Sequence, residues 1–597
     1  MLELIAQNLA PIMFLALIGF LLLGYPAAFS LAAVGLIFFV VGVELAPYSN
    51  GAVNLSWPLL GTLPERIYGV MSNDTLLAIP FFAFMGLILE RSGMAEDLLE
   101  TVGQLFGTVR GGLAYAVIFV GALLAATTGV VAASVISMGL ISLPIMLRYG
   151  YDARFATGTI AASGTLAQII PPSLVLIVLA DQLGRSVGDM YTGAMLPGLM
   201  LAGLYAVFAF IVSTIWPNAA PGLPPEAIIH REPDGSRGYR SLVVLLAICG
   251  SAAWFLMRDS ERSGPDFVIL TVTLAICIAI AIAGANWVFK RGGGPRLLSV
   301  LAEQVVFVMV PPLLLIFLVL GTIFIGVATP TEGGAMGAVG AMLLALGKRL
   351  SERNKARFSY EIVRSAAQAT AKLSAFVMFI LIGARIFSLT FYGVNGHLWV
   401  EHLLVSLPGG KIGFLIFVNV LVFFLAFFLD FFELAFIIVP LLAPAAQALG
   451  IDLIWFGVIL AVNMQTSFMH PPFGFALFYL RSVAPRVPYI DKVTGRTMPP
   501  VTSAQIYWGA VPFVIIQLIM VGLLIAFPGL VGHDRGPLPR ALPSTGMPHD
   551  AKAPSFRSQG FALPPYPPAI PGAPPPETTG PGAPTLDMSV PPVIVKP

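Results

Sequence analysis

Charge is what this sequence has least of. Only 10% of its 597 residues are Asp, Glu, Lys or Arg, against about 25% in soluble domains. So few polar groups cannot cover a water-facing surface, which excludes a soluble globular fold. The net charge of +2 leaves no electrostatic footprint for nucleic acid. Cysteine is nearly absent: Cys249 and Cys277 both sit inside apolar segments, which argues against a disulfide framework or a thiolate metal site. The six histidines (His230, His397, His402, His470, His533, His549) never pair at metal-ligand spacing, so no zinc site is expected. No Ser/His/Asp or paired-carboxylate constellation suggests an enzyme.

Apolar residues dominate instead, at 57% with a further 60 glycines, and the chain reads as a polytopic membrane protein. Met1 to Asn8 holds Glu3 and no Lys or Arg, and the apolar run that follows to Val43 is too long for a signal peptide. Gly24-Tyr25-Pro26 splits it into two short spans or one broken helix. Further runs able to cross about 30 Å of hydrocarbon lie near 75–90, 112–146, 155–180, 190–215, 241–257, 266–289, 299–325, 327–347, 372–391, 412–447, 453–480 and 507–530. Seven basic residues crowd 348–372 (Lys348, Arg349, Arg353, Lys355, Arg357, Arg364, Lys372), and Lys290, Arg291 and Arg296 form a second cluster two spans earlier. The positive-inside rule puts both in the cytoplasm. The last 67 residues, from Val531, carry 18 of the 49 prolines and are expected to be extended or disordered.

The chain also repeats itself. Pro144, Gly150-Tyr151-Asp152 and Pro171-Pro172 recur as Pro444, Gly450-Ile451-Asp452 and Pro471-Pro472, displaced by 300 residues, and Gly93 and Gly393 extend the match. The copies cover roughly 93–180 and 393–480. A fainter likeness joins Gly24-Tyr25-Pro26 to Ala328-Thr329-Pro330. Duplicated halves in an apolar chain are the signature of secondary transporters, which bind substrate and coupling ions on discontinuous helices near the midplane. Each copy has that layout. A long apolar run breaks at Thr127-Thr128-Gly129 or at Asp430-Phe431-Phe432-Glu433. A second helix, opened by Asp152 or Asp452, is interrupted at Ser163-Gly164-Thr165 or at Asn463-Met464-Gln465-Thr466-Ser467, shortly before a Pro-Pro pair. Proline removes an amide donor, so carbonyls near 167–168 and 467–468 lose their partners, which hydrocarbon tolerates only at a protein-lined cavity.

Freed carbonyls and the hydroxyls of Thr128, Ser163, Thr165, Thr466 and Ser467 are hard, uncharged oxygen ligands suited to a desolvated sodium ion. Taken singly, each of these residues also fits close helix packing. Asp152 and Asp452 read as helix N-caps. Asp430 and Glu433 are costly in an apolar run and read either as functional groups or as residents of a wet hairpin tip. Arg385 reads as an interfacial residue or as a counter-charge for an acid. His470 reads as a hydrogen-bonded structural histidine or as a titrating group.

These motifs resemble those of the large membrane subunit of TRAP (tripartite ATP-independent periplasmic) transporters. The resembling stretches are 128–134 (TGVVAAS), 161–173 (AASGTLAQIIPPS), 328–332 (ATPTE), 428–430 (FLD) and 471–474 (PPFG), in the family's order across about 1–215 and 297–530. The resemblance implies an all-α, inverted-repeat, elevator-type fold with two re-entrant hairpins and two interrupted helices. It implies sodium-coupled uptake of a small organic acid, such as a dicarboxylate, or a related solute across the bacterial inner membrane. It also implies two partners, a small four-helix membrane subunit and a periplasmic solute-binding protein. Carried over by position, the sodium sites fall on Thr128, Gly129, Ser163, Gly164 and Thr165 and on Asn463, Thr466 and Ser467. Substrate contacts fall on Asp430, Thr329, Thr331 and Glu332. A self-sufficient sodium/carboxylate symporter of similar fold is the alternative, with a membrane-embedded enzyme a distant third.

The sequence departs from the family in three places: two extra spans within 216–296, Phe431 and His470 where proline and threonine are common, and the Pro-rich tail. The family pattern begins almost at Met1, so no fused small subunit is expected. The expected organisation is scaffold helices (1–92), a first transport repeat (93–180), a scaffold helix and loop (181–240), an inserted pair of spans (241–296) and further scaffold helices with the basic loop (297–392). A second repeat (393–480), the last loop and span (481–530) and the tail (531–597) complete it.

Overall fold

The computed structural model describes residues 2–128, 131–227, 238–259, 265–291, 293, 298–471, 474–491 and 493–531. The Pro-rich tail lies outside the described residues from 532 onward, so the expectation of disorder there is not addressed. Among the described residues, strand is confined to one small antiparallel pair, Tyr489–Ile490 against Thr497–Met498. Helix dominates because in hydrocarbon every backbone amide must be satisfied within its own segment.

In chain order the first helices are α1 (Leu2–Gln7), α2 (Leu9–Leu22), α3 (Ala27–Leu45), α4 (Trp57–Leu60), α5 (Leu63–Met71) and α6 (Asp74–Arg91). The expected break at Gly24-Tyr25-Pro26 separates α2 from α3, with Gly24 in the left-handed region at φ +82°, where a side chain would be strained. Repeat 1 supplies α7 (Met94–Phe106), α8 (Gly112–Thr128), α9 (Val131–Arg148), α10 (Ala153–Thr165) and α11 (Leu174–Leu183). Then follow α12 (Val187–Ile215), α13 (Tyr239–Met257), α14 (Pro265–Arg291), α15 (Val300–Phe324), α16 (Pro330–Glu352) and α17 (Tyr360–Gly393). Repeat 2 supplies α18 (Gly396–Val405), α19 (Gly410–Leu425), α20 (Phe431–Glu433), a π-helical stretch at Leu434–Ile438, α21 (Val439–Ala448), α22 (Leu453–Met464) and α23 (Phe475–Val483), and α24 (Ser503–Ala526) comes last. Eight of the described helices are long and apolar enough to cross a membrane, or up to ten if each of two bent pairs is one span.

The two repeats correspond element by element: an arm helix (α7, α18), a hairpin (α8–α9; α19 to α21) and a helix broken near its middle (α10–α11, α22–α23). Local chemistry is duplicated with them. Gly150 and Gly450 both turn the chain at positive φ. Asp152 accepts hydrogen bonds from the amides of Arg154 and Phe155, and Asp452 from those of Ile454 and Trp455, so both are N-caps as expected. The copies interlock: hairpin helix α9 packs on α23, and hairpin helix α21 packs on α11.

Two expectations shift. The run at 372–391 begins earlier, because α17 is already helical from Tyr360, where Ser359 caps it by accepting from the Ile362 amide. The extra spans form a hairpin, α13 on α14, seated on α15.

Hydrogen bonds tie other segments to the basic loop at 348–372. Arg357 reaches the carbonyls of Ser92 and Gly93 and the carboxylate of Asp97, which Lys348 also contacts. The C-terminal end of α6 and the start of α7 therefore lie at the same end of the helices as the basic loop. At the opposite end, Thr331 donates to the Asp74 carbonyl at 2.5 Å.

The loop after α23 is fastened to the end of hairpin 1. Arg148, at the end of α9, pairs with Asp491 at 2.8 Å, and the Thr494 amide and hydroxyl donate to the same carboxylate at 2.8 and 2.6 Å. Hydrogen bonds, first from Arg148 and then from Thr494, hold the Asp491 carboxyl at about 2. A depressed carboxyl contributes stability above its ordinary value near 3.9, and the contribution is lost as pH falls from there through about 2. Hydrogen exchange of 484–502 is therefore expected to stay slow at pH 7 and rise below about pH 4, whereas Asp491→Asn raises it already at pH 7. Equal exchange in the two proteins at pH 7 would refute the fastening role.

Repeat 1 meets α24 at a close glycine crossing. A Cβ added at Gly158 would stand 2.0 Å from the Gly509 carbonyl oxygen, and one at Gly509 2.2 Å from that of Arg154. Backbone cannot yield as a side chain does, so Gly158→Ala is expected to cost about 3 kcal/mol. Gly522→Ala, on the same α24 with nothing within 4 Å, is expected to be neutral. Thermal melts in detergent compare the two, and equal melting temperatures would count against the crossing.

Candidate ion and substrate site

Each broken helix passes through a single 3-10 turn, Leu166–Gln168 in repeat 1 and Gln465–Phe468 in repeat 2. In repeat 1 the prolines strip donors from the preceding carbonyls, as expected, yet one of these finds a new partner: the Ser173 hydroxyl donates to the Gln168 carbonyl at 2.5 Å. Ser173 then caps α11 by accepting from the Leu176 amide. Pro472 and Phe473 lie outside the described residues.

The two breaks touch. Gln465 Nε2 donates to Thr165 Oγ1 at 3.0 Å, and these residues stand 300 apart, so equivalent positions of the two repeats meet each other. Thr165 donates in turn to the Ala162 carbonyl at 2.8 Å, and Thr466 to that of Asn463 at 2.6 Å. Hairpin packing is also duplicated. In repeat 1, Gly121 of α8 lies so close to Ser163 that a Cβ would approach its side chain to 2.6 Å. In repeat 2, Asn419 of α19 meets Asn463, whose Nδ2 donates to the Asn419 carbonyl at 2.7 Å and to its side-chain oxygen at 2.9 Å.

Ser163, Thr165, Gln168, Asn463, Gln465, Thr466 and Ser467 are all buried. Among the described residues, Ser163 Oγ, Gln168 Oε1, Asn463 Oδ1, Gln465 Oε1 and Ser467 Oγ have no hydrogen-bond partner. A buried unpaired polar atom costs about 1–3 kcal/mol, and five of them at two symmetry-related breaks form a set of neutral oxygens. Such a set fits a monovalent hard cation better than a divalent one, whose ligands commonly include carboxylates.

The remaining site expectations sort differently. Gly129 lies outside the described residues, as does the side chain of Thr128. Gly164 packs against Val135 of hairpin 1. Asp430 and Glu433 form a capping box at the tip of hairpin 2, the Asp430 carboxylate accepting from the Glu433 amide at 2.8 Å and the Glu433 carboxylate from the Asp430 amide at 3.0 Å. Both are half-buried at a chain turn. Thr329 and Glu332 make a second capping box at the exposed start of α16. Asn73 Nδ2 donates to Asp181 of α11 at 2.7 Å, tying the start of α6, where Thr331 also bonds, to repeat 1. No hydrogen bond among the described residues joins this group to Asp430. Arg385 is exposed and forms no ion pair among the described residues, in keeping with an interfacial position.

His470 is a buried ring stacked on Phe427 at 4.1 Å and edge-on to Phe423 at 4.4 Å, so aromatic packing holds it in place.

Sequence reading passed over Asn419, Gln168 and the pair formed by Tyr205 and Gln517, which are hydrogen-bonded at 2.9 Å. Asn419 and Gln517 lie in apolar runs, and that isolation was the available signal.

Inverted repeats, each with a hairpin and a broken helix, define a multi-pass membrane transport protein. The comparisons with known proteins give its family. Residues 14–530 match the tripartite ATP-independent periplasmic transporter, DctM component, and the chain belongs to that family of large permeases. It is 26% identical to the C4-dicarboxylate TRAP transporter large permease of Vibrio cholerae over 85% of this chain and 94% of that one. It is 24% identical to the ectoine TRAP transporter large permease of Halomonas elongata, over 87% and 96%. To the isethionate TRAP transporter permease DctMQ of Oleidesulfovibrio alaskensis it is 25% identical, over 75% of this chain and 59% of the other.

Proposed function

We propose that this permease moves a small organic solute, an organic acid in the first instance, across the bacterial inner membrane, driven by inward sodium flux. The observation that carries the reading is the meeting of the two breaks at Thr165 and Gln465, surrounded by buried oxygens without partners. One sodium ion belongs at each break. Ser163, Gly164 and Thr165 with the tip at Thr128 and Gly129 serve the first, and Asn463, Thr466 and Ser467 the second. The two hairpins and broken helices travel together as the mobile unit against α6, α16 and α17. Substrate binds beside the ions, with Asp430 at the hairpin 2 tip and Thr329, Thr331 and Glu332 at the periplasmic entrance.

Family membership supports two partners, a small membrane subunit and a periplasmic binding protein. The relatives' names span a C4-dicarboxylate, ectoine and isethionate, so the solute is left to the binding protein's choice. The test is uptake into proteoliposomes holding the permease with both partners. Accumulation is expected only under an inward sodium gradient and only with the binding protein present. Equal uptake by the permease alone would establish the self-sufficient symporter instead.

A further inference from the structure

A cavity of about 250 Å³ lies at the cytoplasmic base of hairpin 1, away from the breaks, among α7, α8 and α9. Its polar lining is Glu96, Glu100, Gln104, Ser142, Arg148 and Tyr149. Glu96, Glu100 and Gln104 follow at four-residue spacing and so share one face of α7. Neither glutamate forms an ion pair among the described residues. Among the described residues, two cations near the cavity are already engaged: Arg148 by Asp491, and Lys348, close enough to Glu96 to feel its charge, by Asp97 and Glu352. Two like charges one turn apart repel, and the described lining carries a negative excess.

Ser142 supplies an independent observation. Its side chain is 3% exposed, it lines the cavity, and its hydroxyl has no partner among the described residues. At the equivalent position 300 residues on, the second repeat carries Leu442, which is what packing alone favours there. A buried hydroxyl and two exposed carboxylates lining one cavity are a recognition set for a cation with N–H donors. The space far exceeds a bare metal ion, two carboxylates and a hydroxyl fall short of the six oxygens or more that calcium takes, and Tyr149 adds an aromatic ring of the kind ammonium groups favour.

We propose that this cavity is a binding site for an organic ammonium group, held by Glu96 and Glu100 with Ser142 as the buried hydrogen-bond partner. The group comes from a free amine in the cytoplasm or from the headgroup of an amine-bearing lipid of the inner leaflet. Because α7 and hairpin 1 share the cavity, its occupant bridges the arm helix and the hairpin.

The test titrates ethylammonium chloride into the purified, delipidated permease by calorimetry. In parallel, the protein is reconstituted in nanodiscs of phosphatidylethanolamine or phosphatidylglycerol, and retained lipid is read by native mass spectrometry. Saturable ethylammonium binding, weakened at least tenfold by Glu96→Gln with Glu100→Gln and several-fold by Ser142→Ala, supports a free amine. Phosphatidylethanolamine retained by the native chain and lost from those variants supports the lipid source. Ser142→Leu, which fills the cavity, is expected to abolish either mode, with the melting temperature reporting its fold. If neither probe binds, the proposal is overturned. Binding that responds to the glutamate changes but is indifferent to both Ser142 substitutions would mark plain surface attraction and would overturn it equally.

Discussion

Replacing Thr165 and Thr466 together by alanine is expected to abolish sodium-dependent uptake while the permease still folds. Each hydroxyl already donates to a carbonyl of its own helix, three residues back, so its lone pairs remain for another partner. Thr165 spends one on Gln465. A hydrogen-bonding group that serves a charged partner contributes about 1.5–3 kcal/mol, so losing both hydroxyls costs roughly 3–6 kcal/mol of ion binding, a hundredfold or more. The fold loses less, because the substitutions leave the helix ladders in place and delete only the side-chain back-bonds. Thr159→Ala is the matched control: Thr159 is also buried in α10 and donates to the Phe155 carbonyl at 2.8 Å, but it lies more than a turn from the break. Sodium titrations of uptake, with melting curves for all variants, give the answer. If the double variant keeps the sodium dependence of the native chain, the assignment of the ion sites to the breaks fails.

Much of this architecture was legible because the features that break membrane helices are few and chemically distinct. Asp152 and Asp452 are short acceptors just before an apolar run, and both cap helices as that placement requires. The Pro-Pro pairs located the breaks because a missing amide has the same effect wherever it falls. What lay beyond reach depended on three-dimensional neighbours. That Gln465 reaches Thr165, or Asn463 reaches Asn419, follows from how the repeats interlock, and no spacing along the chain encodes it. The ring slot around His470 was hidden for the same reason, since Phe423 and Phe427 belong to a different helix region from His470. The start of α17 was missed because hydropathy ends where Lys372 and Arg364 begin, although helix propensity and the Ser359 cap continue the element back to Tyr360.

The proposal of one ion at each break predicts how uptake responds to membrane voltage. Moving one positive charge inward across 100 mV yields about 2.3 kcal/mol, so two sodium ions carrying an uncharged solute gain roughly 4.6 kcal/mol, on the order of a thousandfold accumulation. A dianionic solute carried with the same two ions moves no net charge, and the voltage then contributes nothing; only the sodium concentration ratio drives it. On that proposal, the driving force depends on stoichiometry and solute charge together. In proteoliposomes with both partners, a potassium diffusion potential of −100 mV inside is expected to raise the accumulation of an uncharged or zwitterionic solute about a thousandfold and to leave that of a dianion unchanged. An asparagine-for-alanine comparison at the second break refines the result. Asn463→Ala removes the amide that holds Asn419 and one of the unpartnered oxygens. If it disables only the second site, the uncharged solute keeps one sodium ion and about 2.3 kcal/mol, so the voltage effect falls from roughly a thousandfold to about fiftyfold. A dianion moved with equal voltage sensitivity to a neutral solute would show that the two breaks do not each deliver a charge.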